Sequence, residues 1–191
     1  MFNGNLFLTD SGGLVGGYTD KTLQGLADIA KKEKVKLILV EENYGGGMFS
    51  KLLLPFIHRT YPVTLEEVRH TTSKEKRILD VLEPLIQQHR LIINRAVVLN
   101  DYHKTQELYS TDQALRYQLF YQMSRLSRDK GSLAFDDRLD VLAMACSYWV
   151  EQLARDQELA MKQRKDDLQR EALDHFLDHQ AFTKPVKNKW F

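Results

Sequence analysis

The chain has 191 residues, 43% of them hydrophobic and 28% charged, with a formal net charge of +1. That is enough for one ordinary domain with a real core, and the near-neutral balance excludes a global field for nucleic acid, so any DNA contact must come from local patches. The single cysteine, Cys146, excludes a disulfide framework and Cys-rich zinc sites. No apolar run approaches the ~20 residues of a membrane span, and the first residues show no basic-then-apolar leader, so a soluble intracellular protein is expected.

In chain order, Asn3-Gly4 is a strong hairpin-turn signal, and Asn5 to Thr9 beyond it reads as a strand. A Gly-rich loop follows, then Thr19 or Asp20 caps a helix with Leu23, Leu26, Ile29 and Ala30 on its buried face. Val35 to Val40 is nearly all apolar, as a buried parallel strand should be. It ends in Glu41-Glu42-Asn43 and the triple-Gly loop Gly45 to Gly47. Met48 to Ile57 reads as a helix that Pro55 should end or kink. Thr64 to Val68 is a strand and Lys74 to Gln88 an amphipathic helix. Leu91 to Ile93 is a short strand, and Asp101 to Ala114 is irregular or helical. Alternation over Tyr117 to Leu126 predicts another strand. Val141 to Leu153 is a helix, with Cys146 spaced for its core alongside Leu139, Leu142, Trp149 and Leu153. Helices alternating with strands indicate an α/β layer fold with a largely parallel sheet. Residues 1–154 form the folded domain, and 155–191 a charged helix with a basic, aromatic tail.

The chemistry concentrates in acids. Asp136, Asp137 and Asp140 open the last helix, where exposed N–H groups and the macrodipole favour carboxylates. Three are more than a cap needs, and Asp136 and Asp140 share a face, where like charges repel unless a cation relieves them. Glu41 and Glu42 sit at the carboxyl end of a strand, where open α/β sheets bind ligands. Acids from two such places suit hard cations such as Mg²⁺. His175 and His179 have a spacing that could hold Zn²⁺ but lack the Glu of a His-Glu-x-x-His motif, so an exposed helix face is the simpler reading.

Several ordered segments carry a resemblance: Val40 to Phe49, Lys74 to Ile78 with Leu82-Glu-Pro84, and Phe120 to Met123 through Gly131 to Asp140. Together, over about Asn3 to Leu153, they resemble the C-terminal nuclease domain of the terminase large subunit of short-tailed double-stranded DNA phages, also called DNA maturase B. The resemblance implies an RNase H-like fold of the resolvase and terminase nuclease type, a mixed sheet flanked by helices. It implies cleavage of concatemeric double-stranded DNA with Mg²⁺ or Mn²⁺, by a two-metal mechanism in the host cytoplasm. The implied partners are DNA, a terminase ATPase domain or small subunit, and the portal, with no membrane.

Residue by residue, it places Glu41 at the strand-end metal ligand, with Glu42 an alternative, and Asp136 or Asp137 at the ligand opening the last helix. Asp140 then supports the helix or the ligands. Lys74, Arg77, Arg125, Arg128 and Lys130 become candidate phosphate contacts. Where the family has a first strand bearing its first catalytic Asp in an Asp-Pro-Ser-Gly-like segment, this sequence shows none, and it has no P-loop. Asp10, in Asp10-Ser-Gly-Gly13, mimics that segment out of order and is an alternative ligand. The expectation is thus a nuclease fold with its first strand missing and its activity impaired unless that strand is supplied by another chain. Two rivals stand beside it. One is an inactive remnant or a module docking on the portal or motor after Arg155; the other, weaker, is a nucleotide-binding protein built on Gly45 to Gly47.

Overall fold

A computed structural model describes residues 1–42, 47–70, 72–127 and 135–182. The chain divides into two compact units, Met1–Tyr148 and Trp149–Phe191.

The first unit begins with the predicted turn. Asn3 and Gly4 both take positive φ, 48° and 75°, as a type I′ turn requires, and Phe2 and Asn5 form an antiparallel bridge across it. Strand β1 (Leu6–Leu8) follows. Helix α1 (Asp20–Lys32) is capped by Thr19, whose hydroxyl accepts the Thr22 N–H. Leu23, Ala27 and Ala30 are buried, whereas Ile29, expected on the same face, is 45% exposed because it borders an open cleft. Strand β2 (Leu37–Glu41) and helix α2 (Met48–Thr60) come next. Pro55 neither ends nor shortens α2, which runs three residues past Ile57. Strand β3 (Thr64–Val68), helix α3 (Lys74–Gln87) and strand β4 (Leu91–Ile93) lie close to their predicted positions.

The segment expected to be irregular or helical is mostly helix: α4 (Arg95–Leu108) and the single turn α5 (Thr111–Ala114). Tyr117 to Leu126 is not a strand. A 3₁₀ turn over Leu115–Tyr117 leads into helix α6 (Leu119–Arg125). The apolar residues here recur at Leu119, Met123 and Leu126, a helical spacing that packs on one core. Buried Gln122 fixes the turn: its Nε2 donates to the Arg116 carbonyl at 2.8 Å and its Oε1 accepts the Leu139 N–H at 3.1 Å. Helix α7 (Asp137–Phe182) then begins at the acidic run.

The described strands form two separate parallel pairs rather than one mixed sheet: β1 with β4, and β2 with β3. In a parallel pair, the N–H and C=O of one residue point to the same side. Thr64 donates to the Lys36 carbonyl and Glu42 donates to that of Val68. The even-numbered residues of β2 therefore face β3, while Leu37, Leu39 and Glu41 turn their backbone groups to the opposite edge. No strand pairs with that edge among the described residues. This is why β2, expected to be buried, is only half-buried along its whole length.

Two core clusters follow the same division. One joins α1 and α2 with β2 and β3 through Leu23, Ala27, Leu53 and Ile57. The other joins β1, α3, α6 and the start of α7 through Leu6, Ile78, Leu82, Leu119 and Leu139. Cys146 lies in the second, as its spacing predicts, and burial pushes its thiol up to about 11, which keeps it protonated and unreactive.

One polar tie crosses the second core. Arg138 Nη1 donates to Asp101 Oδ1 at 2.7 Å, and the Phe120 N–H donates to Asp101 Oδ2 at 3.3 Å, linking α4, α6 and α7. Burial raises the Asp101 pKa, and the Phe120 N–H and Arg138 oppose the rise without cancelling it. Both side chains are at least nine-tenths buried. Arg138→Met leaves Asp101 buried without its counter-charge and is expected to cost about 3–5 kcal/mol in urea unfolding. A loss under about 1 kcal/mol would show that the tie is dispensable.

The second unit is helical through Phe182. Its described residues are mostly charged and exposed, with Leu159, Met161, Leu168, Leu173 and Phe176 standing out to solvent. Among the described residues no helix is long and apolar enough to cross a membrane.

Candidate metal centre at the end of the cleft

A cavity of about 630 Å³ lies between the two cores, lined by β2 and by parts of α1, α2, α3 and α7. Most of its wall is apolar, including Leu26, Ile29, Leu53, Val141 and Met144. Five predicted polar residues line it, Glu41 at the end of β2, Lys74 and Arg77 on the first turn of α3, and Asp137 and Asp140 on the first turn of α7, together with Tyr18, Ser50 and Glu67.

Each is placed by local rules. Glu41 is the last residue of a strand, and its successor Glu42 still donates its N–H to β3. Asp136 precedes α7 and accepts the Asp140 N–H on its own carbonyl, so the acids crowd a helix start whose dipole favours them. Lys74 and Arg77 are three apart on α3 and share a face.

Lys74 enters the acidic run as its counter-ion. Its ammonium lies 2.7 Å from Asp136, 3.2 Å from Asp137 and 3.5 Å from Asp140. Arg77 Nη2 pairs closely with Asp140 and lies 3.8 Å from Glu41 Oε1, so one guanidinium connects the two acidic segments. Partial burial alone would lower the Lys74 pKa. The hydrogen bond and charge of Asp136, then Asp137 and Asp140, outweigh it and hold the ammonium well above the ordinary lysine range.

Gly47 completes the rim at the start of α2, with φ of 75°. A Cβ there would strike the Glu67 carboxylate, so only glycine lets that acid from β3 sit against the helix start. Sequence reasoning missed Glu67; its only signal is position near the carboxyl end of a strand. Gly45 and Gly46 lie outside the described residues.

The other predicted residues fall elsewhere or on the margin. Glu42 is exposed beyond β2. Asp10 takes the Lys104 ammonium at 2.9 Å and the Ser11 N–H at 2.9 Å. Burial pulls the Asp10 pKa upward, but these partners bring it below the ordinary carboxylate value. Arg125 stands at the end of α6, its guanidinium 5.5 Å from the Tyr121 ring. Arg128 and Lys130 lie outside the described residues, as does the His179 side chain.

As they stand, no three His, Cys, Asp or Glu side chains among the described residues are disposed to hold a metal ion. The oxygens nevertheless converge on a cation, and that cation is the Lys74 ammonium. The donor set is therefore one that accepts positive charge, all oxygen, as a hard divalent ion prefers.

Comparison with known proteins points to phage terminases. Residues 1–91 match the family model for the ribonuclease H-like domain of the bacteriophage T7 terminase. Over 146 residues the chain is 40% identical to the terminase large subunit of Enterobacteria phage T3, covering 76% of this chain and 25% of that protein. The chain thus spans about a quarter of the length of the curated relative it matches. Both findings bear out the resemblance read from the motifs: this chain is similar to the ribonuclease H-like domain of a phage terminase over residues 1–91 and to a phage terminase large subunit over 146 residues.

The Lys74 geometry has a definite pH signature. Because its folded pKa is raised, its contribution to stability is whole below the unfolded value of 10.5 and drains away as pH rises through the folded value. Urea midpoints of the wild-type chain should fall more steeply above pH 10.5 than those of Lys74→Met. Superimposable alkaline profiles would mean that the ammonium is not held as described.

Proposed function

We propose that this chain is the metal-dependent endonuclease part of a phage DNA-packaging terminase, cleaving concatemeric double-stranded DNA in the host cytoplasm by phosphodiester hydrolysis. One observation carries this reading. Acids from two segments about ninety-five residues apart in sequence, Glu41 and the Asp136 to Asp140 run, meet at one end of one cleft through Lys74 and Arg77. The RNase H-like match over residues 1–91 and the likeness to a terminase large subunit supply the reaction class.

In this reading Glu41, Asp136 and Asp137 hold Mg²⁺ or Mn²⁺, with Glu42 at the margin. Bound there, the ions would supply an activated water and stabilise the leaving oxygen. Asp140, tied to Arg77, keeps the first turn of α7 facing Glu41. Lys74 holds the carboxylates together by its own charge and, once displaced, reaches a DNA phosphate together with Arg77. Arg125, Arg128 and Lys130 extend the phosphate contacts. Residues 1–154 carry the cleavage function, and the charged segment 155–191 contacts the ATPase, small subunit or portal.

The same ammonium favours a second reading. A lysine already seated among the carboxylates suits an inactive packaging component that docks through its C-terminal helix, where Leu168, Leu173 and Phe176 are exposed.

Calorimetric titration with Mn²⁺ separates the two. A nuclease site should bind Mn²⁺ and nick supercoiled plasmid, and Asp136→Asn with Asp137→Asn should weaken binding at least about tenfold. Glu41→Ala should abolish nicking, while Lys74→Met should tighten Mn²⁺ binding by removing the competing cation. No heat from Mn²⁺, or nicking indifferent to Glu41, would favour the docking module.

A further inference from the structure

A row of aromatic rings runs up to the acidic end of the cleft. Tyr109, at the end of α4, and Tyr117, at the end of the 3₁₀ turn, lie ring on ring, with centroids 3.9 Å apart and planes 11° from parallel. Phe135 continues the row, 5.5 Å from Tyr117 and tilted by 52°. The guanidinium carbon of Arg116 lies 5.5 Å from the centroid of the Phe135 ring. All three rings are half-buried, Arg116 is exposed, and none of the rings belongs to either core cluster. Phe135 is bonded directly to Asp136, whose carboxylate takes the Lys74 ammonium at 2.7 Å. We infer that Phe135, Tyr117 and Tyr109 form a stacking platform for an unpaired base of DNA, beside the acidic centre. The choice of DNA as ligand rests on the nuclease reading.

The geometry is that of a platform rather than of core packing. Aromatic pairs favour edge-to-face or offset contacts, and the Tyr109–Tyr117 separation leaves little room for offset. A flat pair outside both cores, half-open to solvent, presents the kind of surface on which a base stacks. Arg116 marks the place nearest the acids, since a guanidinium over a ring is a planar cation on a π face. A base is planar too and can take that place on Phe135, leaving the guanidinium for the adjoining phosphate. The backbone beneath is held still: the Arg116 carbonyl accepts Gln122 Nε2 at 2.8 Å, and Gln122 Oε1 accepts the Leu139 N–H at 3.1 Å. One buried side chain thus ties the turn that carries Arg116 and Tyr117 to the helix start that carries the acids. In a duplex both faces of every base are covered by neighbours, so the platform selects unpaired bases. Because every base has a π face, it does so without regard to sequence.

Stacking needs no metal, so the test is run in EDTA, with the full chain and a fluorescein-labelled oligothymidylate. Its control is an abasic oligonucleotide of the same length, which keeps the phosphates and drops the bases. By fluorescence anisotropy the oligothymidylate should bind at least about tenfold more tightly than the abasic strand. Phe135→Leu should erase most of that preference while leaving abasic binding unchanged, and Phe135→Tyr should retain it. Circular dichroism checks that both variants fold. If Phe135→Leu does not, ultraviolet crosslinking of a 5-iodouracil oligonucleotide to the wild-type chain decides, and should mark Phe135, Tyr117 or Tyr109. Equal affinity for the two strands would overturn the proposal, as would a preference indifferent to Phe135→Leu, crosslinks confined to other residues, or no binding of either strand. A chain that prefers bases yet gives no heat with Mn²⁺ keeps the platform and loses the nuclease reading. One that binds Mn²⁺ and nicks plasmid without preferring bases loses the platform alone.

Discussion

The Lys74 ammonium is the constraint on which the acidic end of the cleft depends. Asp136, Asp137 and Asp140 crowd within one turn of α7, and without a cation their mutual repulsion would splay that turn. Lys74 bridges them from α3, and Arg77, on the same face of α3, carries the connection on to Glu41 at the end of β2. Two cations on one helix thereby fix the start of another helix against a strand from the other half of the molecule. Any further cation at these acids would have to displace a charge the protein already provides.

The acids were legible in the sequence because they sit at places where backbone geometry advertises them, a strand end and a helix start. The two cations were legible as neighbours of a motif, but not as the groups that occupy it. Which acid an ammonium chooses depends on side-chain reach across the fold, and sequence spacing holds no such information. Glu67 escaped notice for a similar reason: its importance rests on a glycine twenty residues earlier whose missing side chain makes room for it.

Among the elements, the helices and the first four predicted strands emerge from turn residues and apolar spacing that agree with each other. Tyr117 to Leu126 misleads because a short run with alternating polarity also contains a helical repeat. The decision there comes from Gln122, a polar residue buried to bond a distant helix start. The half-burial of β2 was hidden too. An all-apolar strand predicts neighbours on both sides, but the pairing observed supplies only one.

The division of the core into two clusters with no shared residue has a consequence for how the molecule comes apart. Cooperative unfolding needs contacts that propagate a local opening to the rest of the domain. Here an opening of α1, α2, β2 and β3 meets a cavity before it meets the second cluster, so the two halves have little to tell each other. Such a division should give two foldons within one compact unit, with amides of the two clusters exchanging at separate rates. The Arg77–Glu41 pair links them electrostatically, so the cooperativity of this unit should respond to salt.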